Sequence, residues 1–127
     1  MAVELNHTIV HATDREATAA FLSDVLGLAP PTTFGPFLVV ECANGVSLDV
    51  VAAGDEPFDR QHYAFLVTED EFDAIFGRIR ERELPYWADP GKRQPGEVNH
   101  HWGGRGVYFP DPDGHHLEIL TVPYGGW

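Results

Sequence analysis

The sequence predicts an α+β fold of two similar modules, each a strand, a helix and then three strands. Three observations predict it: an internal repeat, two helices with capping signals, and two turn dipeptides that each precede an apolar strand. LNHTIVHATDREATAAFLSDVLGL, from Leu5, resembles QHYAFLVTEDEFDAIFGRIRER, from Gln61. In each, an apolar strand carries a histidine, His7 or His62. A threonine follows six residues later, Thr13 or Thr68, and a glutamate three further on, Glu16 or Glu71.

The first module covers about residues 3–52 and opens on the strand around His7. Thr13 and Glu16 have capping-box spacing, in which the two side chains satisfy free N–H groups at a helix start. The helix then places Phe21, Val25 and Leu28 on one face, and Gly27 is its expected stop. A weak strand is expected near residues 31–34, and FLVVEC, from Phe37, enters an Asn-Gly turn. That dipeptide favours positive φ and reads as a hairpin turn into VSLDVV. The polar stretch AAGDEPFDR, residues 52–60, joins the modules. The second module, about residues 61–122, repeats the order. After the His62 strand come Thr68 and Glu71, then a helix with Phe72, Ile75, Phe76 and Ile79 on one face. A short strand is expected at residues 86–88. A Pro- and Gly-containing loop follows at residues 89–104, a candidate lid by its length, aromatics and histidines. GVYF, from Gly106, then enters the Asp113-Gly114 turn, and HHLEIL leaves it.

At 127 residues and 43% hydrophobic, the chain suits one domain with a real core rather than two independent domains of ordinary size. No apolar run approaches the roughly 20 residues of a membrane helix, and MAVELNHTIV lacks the features of a signal peptide. One cysteine, Cys42, allows no internal disulfide, so a cytoplasmic setting is expected. The formal charge of −12 argues against nucleic-acid and anionic-membrane partners, which need basic patches. It accords with solubility first and a cationic ligand second.

The repeat selects four residues for chemistry. His7 and His62 lie on the first strands of the two modules, and Asp49 and Glu118 on the last. Imidazole and carboxylate are borderline-to-hard donors that suit a divalent cation of the Fe, Mn, Co, Ni or Zn group. Two His and one carboxylate leave coordination positions open for a substrate. Strand alternation turns His115 to the face opposite Glu118 and puts His116 on the same face. His115 is therefore set aside as a ligand; a His116–Glu118 pair is feasible but has no counterpart in the first module, where Ser47 sits, and His100 and His101 read as exposed loop histidines.

LNHTIVHATD with FLSDVLGL, then QHYAFLV, then above all GVYFPDPDGHHLEIL resemble the vicinal oxygen chelate superfamily over nearly the whole chain. That superfamily includes glyoxalase I, fosfomycin-resistance thiol transferases, bleomycin-resistance proteins and extradiol dioxygenases. The resemblance implies two βαβββ modules forming a cupped mixed sheet around a metal site, with His7, His62 and Glu118 as ligands. It puts Asp49 where glyoxalase I has a fourth ligand, a Glu one methylene longer. The second module is similar to the fosfomycin thiol transferases, with Trp87 and Tyr108 matching. Yet Ile9 stands where those enzymes carry a threonine, Ala88 stands for their lysine, and their C-terminal arginine has no counterpart. A phosphonate dianion needs such cations.

The resemblance implies a metal-dependent, glyoxalase-like enzyme that chelates two adjacent oxygens of a small substrate, for lyase or isomerase chemistry. Asp49 is then the expected proton-transferring base and Tyr108 a catalytic group. Trp87 and Arg105 are the expected substrate-binding residues, and a homodimer the expected assembly. The alternative is a non-catalytic protein that binds and sequesters a bleomycin-like drug, motivated by the acidity and the aromatic loop around Trp87 and Trp102.

Overall fold

The computed structural model describes residues 2–126 and divides into two compact units, Met1–Asp59 and Arg60–Trp127. The boundary falls inside the polar joining stretch. Unit one runs β1 (His7–Ala12), α1 (Arg15–Leu26), β2 (Thr32–Phe34), β3 (Phe37–Glu41) and β4 (Ser47–Ala52). Its sheet has the order β1-β4-β3-β2, with β1 parallel to β4 and the other pairs antiparallel. A parallel pair needs a long crossover, and α1 with β2 and β3 supplies it. Val10, Ala12, Phe21, Leu22, Val25, Val40, Leu48 and Val50 are buried in this unit.

The first helix starts one residue later than the Thr13–Glu16 box predicts. Asp14 is the N-cap, and its carboxylate accepts from the Ala17 N–H at 3.1 Å. Asp is as good a cap as Thr, and with Asp14 capping, the third helical position falls on Ala17, so Glu16 has no box to close. Gly27 ends the helix in the left-handed region, φ 71°, as its position in the sequence predicts. Leu28 therefore lies beyond the helix and is half-buried.

Unit two runs β5 (His62–Leu66), α2 (Glu69–Glu81), β6 (Gly106–Pro110) and β7 (His116–Leu120). Its sheet order is β5-β7-β6, again with the first and last strands parallel. Here Thr68 is the cap, accepting from the Glu71 N–H at 3.2 Å. Phe72, Ile75 and Ile79 are buried from α2, and Val107, Phe109, Leu117 and Ile119 from the sheet. The strand expected at residues 86–88 shrinks to one bridging residue. Trp87 exchanges two hydrogen bonds with Tyr108, at 2.9 and 2.8 Å, along the outer edge of β6. Pro85 and Pro90 flank it and remove the donors a longer ladder needs.

Both units thus follow the βαβββ plan, with a mixed sheet in each, the second unit's strand after α2 being reduced to the Trp87 bridge. The loop after Trp87 is pinned rather than free: Asn99 pairs with Gly106 through two backbone bonds, and the Asp89 carboxylate accepts from the Arg93 and Gln94 N–H groups. Among the described residues, no helix is long and apolar enough to cross a membrane.

Candidate functional site

The duplicated sequence becomes a duplicated register. In β1 and β4, Ile9 is the partner of Asp49, and His7 stands two residues before Ile9. In β5 and β7, Ala64 is the partner of Glu118, and His62 stands two residues before Ala64. Each parallel pair therefore carries an imidazole diagonal to a carboxylate, with His7 opposite Ser47 and His62 opposite His116.

The two diagonals differ in what holds them. In unit two, His62 Nδ1 lies 2.9 Å from the His116 carbonyl oxygen. A carbonyl has no hydrogen to give, so Nδ1 carries the proton and donates. The other ring nitrogen, Nε2, lies 3.1 Å from Glu118 Oε1. Glu118 itself is only 1% exposed, and a buried carboxylate is costly unless partnered. Its further partner is Tyr124, whose hydroxyl lies 2.7 Å from Oε1 and 2.8 Å from Oε2. In unit one, His7 is exposed and its Nδ1 contacts the neighbouring Asn6 Oδ1 at 2.8 Å. Asp49 is half-buried and accepts from the Ser47 hydroxyl at 2.8 Å.

His62 and Glu118 are thus brought together. Among the described residues, no group of three or more His, Cys, Asp or Glu side chains is arranged to hold a metal ion. His115, just before β7, is fully buried, and its Nδ1 accepts from the Gln61 N–H at 2.8 Å. His116 keeps its carbonyl on His62, and His100 and His101 are exposed in the long loop.

The pair fits a divalent cation. Metal–N and metal–O bonds are about 2.0–2.2 Å, so two donors at right angles sit about 3.0 Å apart, close to the observed 3.1 Å. With Nδ1 donating to a backbone carbonyl, Nε2 is left with its lone pair toward Glu118, the support a ligating histidine usually has. A bare Nε2 facing a carboxylate oxygen is repulsive. Only a proton or a cation between them satisfies both atoms.

The remaining expected residues fall as follows. Tyr108, cross-strand partner of Glu118, has its hydroxyl 3.1 Å from that of Tyr124, and its ring stacks near His62 with centroids 6.1 Å apart. Burial pushes the Tyr108 phenol well above its ordinary value, and the Tyr124 hydrogen bond and Glu118 charge push the same way. Trp87 is half-buried and lines a small cleft with Tyr108, His116 and Lys92, whose ammonium lies 4.9 Å over the indole. Arg105 is engaged by α2: it bonds Glu69 and Asp73 at 2.8 Å each and lies 4.3 Å over the Phe72 ring. Those carboxylates, Asp73 foremost, hold its guanidinium above its ordinary value.

Tyr124 is the site residue that sequence reasoning missed. It has no counterpart in the first module, so the repeat cannot find it. The signal available was local: Pro123-Tyr-Gly-Gly, a turn sequence directly after the last strand.

The profile of the Glyoxalase/Bleomycin resistance protein/Dioxygenase superfamily matches residues 4–119. Among solved structures, "Oxidase ChaP-H1" is 69% identical, covers 98% of this chain and 100% of its own, and superposes with a TM-score of 0.95. "Oxidase ChaP-H2" is 61% identical over 99% of this chain and 98% of its own, also with a TM-score of 0.95. "Glutathione transferase FosA" of Serratia marcescens is 28% identical over 94% of this chain and 81% of its own length. A match across nearly the whole chain, on a fold built from two βαβββ modules, places the protein: it belongs to the Glyoxalase/Bleomycin resistance protein/Dioxygenase superfamily.

Proposed function

We propose that the protein is a metal-dependent oxidase acting on a small oxygen-bearing organic substrate. The observation that carries this reading is the high identity to two proteins named as oxidases, across almost the full length of all three chains. The likeness to the fosfomycin-type transferase is far weaker, and Ala88 stands where the resemblance calls for a phosphonate-binding lysine. Within the superfamily's range, the oxidase reading therefore stands ahead of the lyase or isomerase chemistry expected from the sequence alone.

His62 and Glu118 would hold the cation, of the Fe, Mn, Co, Ni or Zn group, and His7 is proposed as a third protein ligand on its identical register. When bound, the cation would supply Lewis-acid polarisation of a chelated substrate oxygen, and the electrons removed from the substrate would pass to dioxygen as the acceptor. Glu118 accepts from the Tyr124 hydroxyl and is oriented by burial in β7. Asp49, held by Ser47, is the proposed acceptor of the substrate's hydroxyl proton. Trp87 offers an aromatic wall beside Tyr108. We further propose a cytoplasmic homodimer: β1 and β5 are edge strands of their sheets and carry exposed Ile9 and Leu66, 43% and 64% accessible in the single chain.

The test is elemental analysis of protein purified without added metal, followed by His62→Ala, Glu118→Ala and His7→Ala. One cation per chain, lost in the first two variants and weakened in the third, is expected. Metal-free protein that consumes oxidisable substrates undiminished in all three variants would sink the reading. A variant set that keeps its metal would equally sink the ligand assignment.

A further inference from the structure

We propose that Tyr124 is a positioning residue for Glu118, carried on the segment after β7 and backed by Tyr108, so that two phenols set the carboxylate as a one-oxygen metal ligand. This rests on the metal reading above.

The argument runs along a chain of hydrogens. Tyr124 has one phenolic hydrogen and lies within 2.8 Å of both Glu118 oxygens, at 2.7 and 2.8 Å. Buried Glu118 accepts, so that hydrogen is shared between Oε1 and Oε2. The Tyr124 oxygen is then left as an acceptor, and the Tyr108 hydroxyl at 3.1 Å must be its donor. The order Tyr108 → Tyr124 → Glu118 is thus directional, and each bond polarises the next. Oε1 is the oxygen facing His62 Nε2. The shared hydrogen allows Tyr124 to bond Oε2 alone, releasing Oε1 toward the cation while the carboxylate stays fixed at its far oxygen.

The backbone holds Tyr124 in place for this. The Gly126 N–H bonds the Pro123 carbonyl at 2.9 Å, closing a turn, and Gly125 takes φ 86°, which a side chain would disfavour. Upstream, the segment is seated against Gly104: a Cβ built there would lie 2.7 Å from Val122 Cγ2. Tyr124 as a whole is 52% exposed. Its ring therefore contributes little to the core, and its hydroxyl is the part committed to a partner.

Removing such an outer partner typically weakens metal affinity about 10–100-fold. The experiment titrates Co²⁺ into metal-stripped full-length protein, read by calorimetry and by the cobalt d–d spectrum, with thermal melts as the folding control. Tyr124→Phe should bind Co²⁺ about 10–100-fold more weakly with an altered cobalt spectrum. Tyr108→Phe should bind more weakly than wild type, but add no further loss to Tyr124→Phe, because it acts through that hydroxyl. Wild-type affinity and spectrum in Tyr124→Phe overturn the proposal, as does tighter binding, which would mean that the phenol competes with the cation. Fully additive losses in the double variant overturn the relay. If wild type itself takes up no cation while Glu118→Ala behaves identically, the metal reading fails, and this one with it.

Discussion

Replacing Gly104 by Ala tests how tightly the segment after β7 is seated. Gly104 has ordinary extended dihedrals, φ −109° and ψ −152°, so Ala is not excluded by its backbone. The obstacle is space. The new methyl would lie 2.6 Å from Thr121 Oγ1, 2.7 Å from Val122 Cγ2 and 3.0 Å from Val122 Cβ. Ordinary contact is about 3.5 Å, so the two nearest neighbours must each withdraw by about 0.8–0.9 Å. Thr121 cannot yield freely. Its Oγ1 accepts from the Arg105 N–H at 2.9 Å and its own N–H bonds the Arg105 carbonyl at 2.9 Å. It also supports Glu69, whose carboxyl its hydroxyl holds below the ordinary range. The strain must therefore pass into Val122 and the turn beyond it. Overpacking of this kind costs about 1–3 kcal/mol. At this chain length each kcal/mol moves Tm by about 3–5 °C, so a drop of roughly 3–15 °C is expected. Scanning calorimetry of wild type and Gly104→Ala reads it directly. A Tm within about 1 °C of wild type would show that the segment is loosely laid rather than seated, and would refute the packing argument.

Four further outcomes follow from other elements. Gly77, inside α2 with nothing within 4 Å of a built Cβ, should gain about 0.5–1 kcal/mol on replacement by Ala, seen as a Tm rise; a fall would mean an unrecognised steric partner. Asp14→Ala and Thr68→Ala should each cost about 1 kcal/mol in urea denaturation through loss of a helix cap, and a null effect at Asp14 would reassign the first cap. Asp111 is 6% exposed, accepts from the Asp113 and His115 N–H groups through Oδ1, and has no partner at Oδ2 among the described residues. Burial raises its carboxyl above the ordinary value, so the folded chain holds that proton more tightly than the unfolded one. Its favourable contribution is complete in acid and lost as pH rises through the raised value, so Asp111→Asn should gain on wild type as pH rises from about 3 toward neutrality; a pH-independent gap would refute this. Phe109→Ala, at a position 1% exposed, should cost about 3–5 kcal/mol in the same denaturation assay, and a loss under 1 kcal/mol would mean that the second core closes over the gap.

How much was legible beforehand depended on whether a residue's neighbours were repeated or merely near. The juxtaposition of His62 and Glu118 was legible because the module repeats, and the repeat carries strand register with it: Ile9 with Asp49 and Ala64 with Glu118 are the same step of the same ladder. Gly27 and Thr68 were legible because caps act over three or four residues. Thr13 misled because Asp14 beside it is an equally good cap, and the shift of one residue depends on how β1 enters the helix. Tyr86 to Ala88 has strand composition, but its flanking prolines and position at the edge of β6 leave it one bridge long. Arg105 reads as a free cation in the sequence. Its engagement by Glu69 and Asp73 joins residues 36 and 32 positions apart, from a loop to a helix, and no local pattern encodes it. Tyr124 was invisible for a related reason, since its partner lies back across a turn and the first module has nothing like it.

The bond from His62 to the His116 carbonyl spans 54 residues of sequence. It rests on a parallel ladder, and parallel pairing brings its reward only after a long loop has closed. The imidazole–carboxylate pair therefore does not exist in any partly folded chain that has α2 and the β6–β7 hairpin but lacks β5 on the sheet. Under the metal reading proposed above, cation capture during refolding would report the seating of β5 on β7, and it should lag the recovery of helical signal.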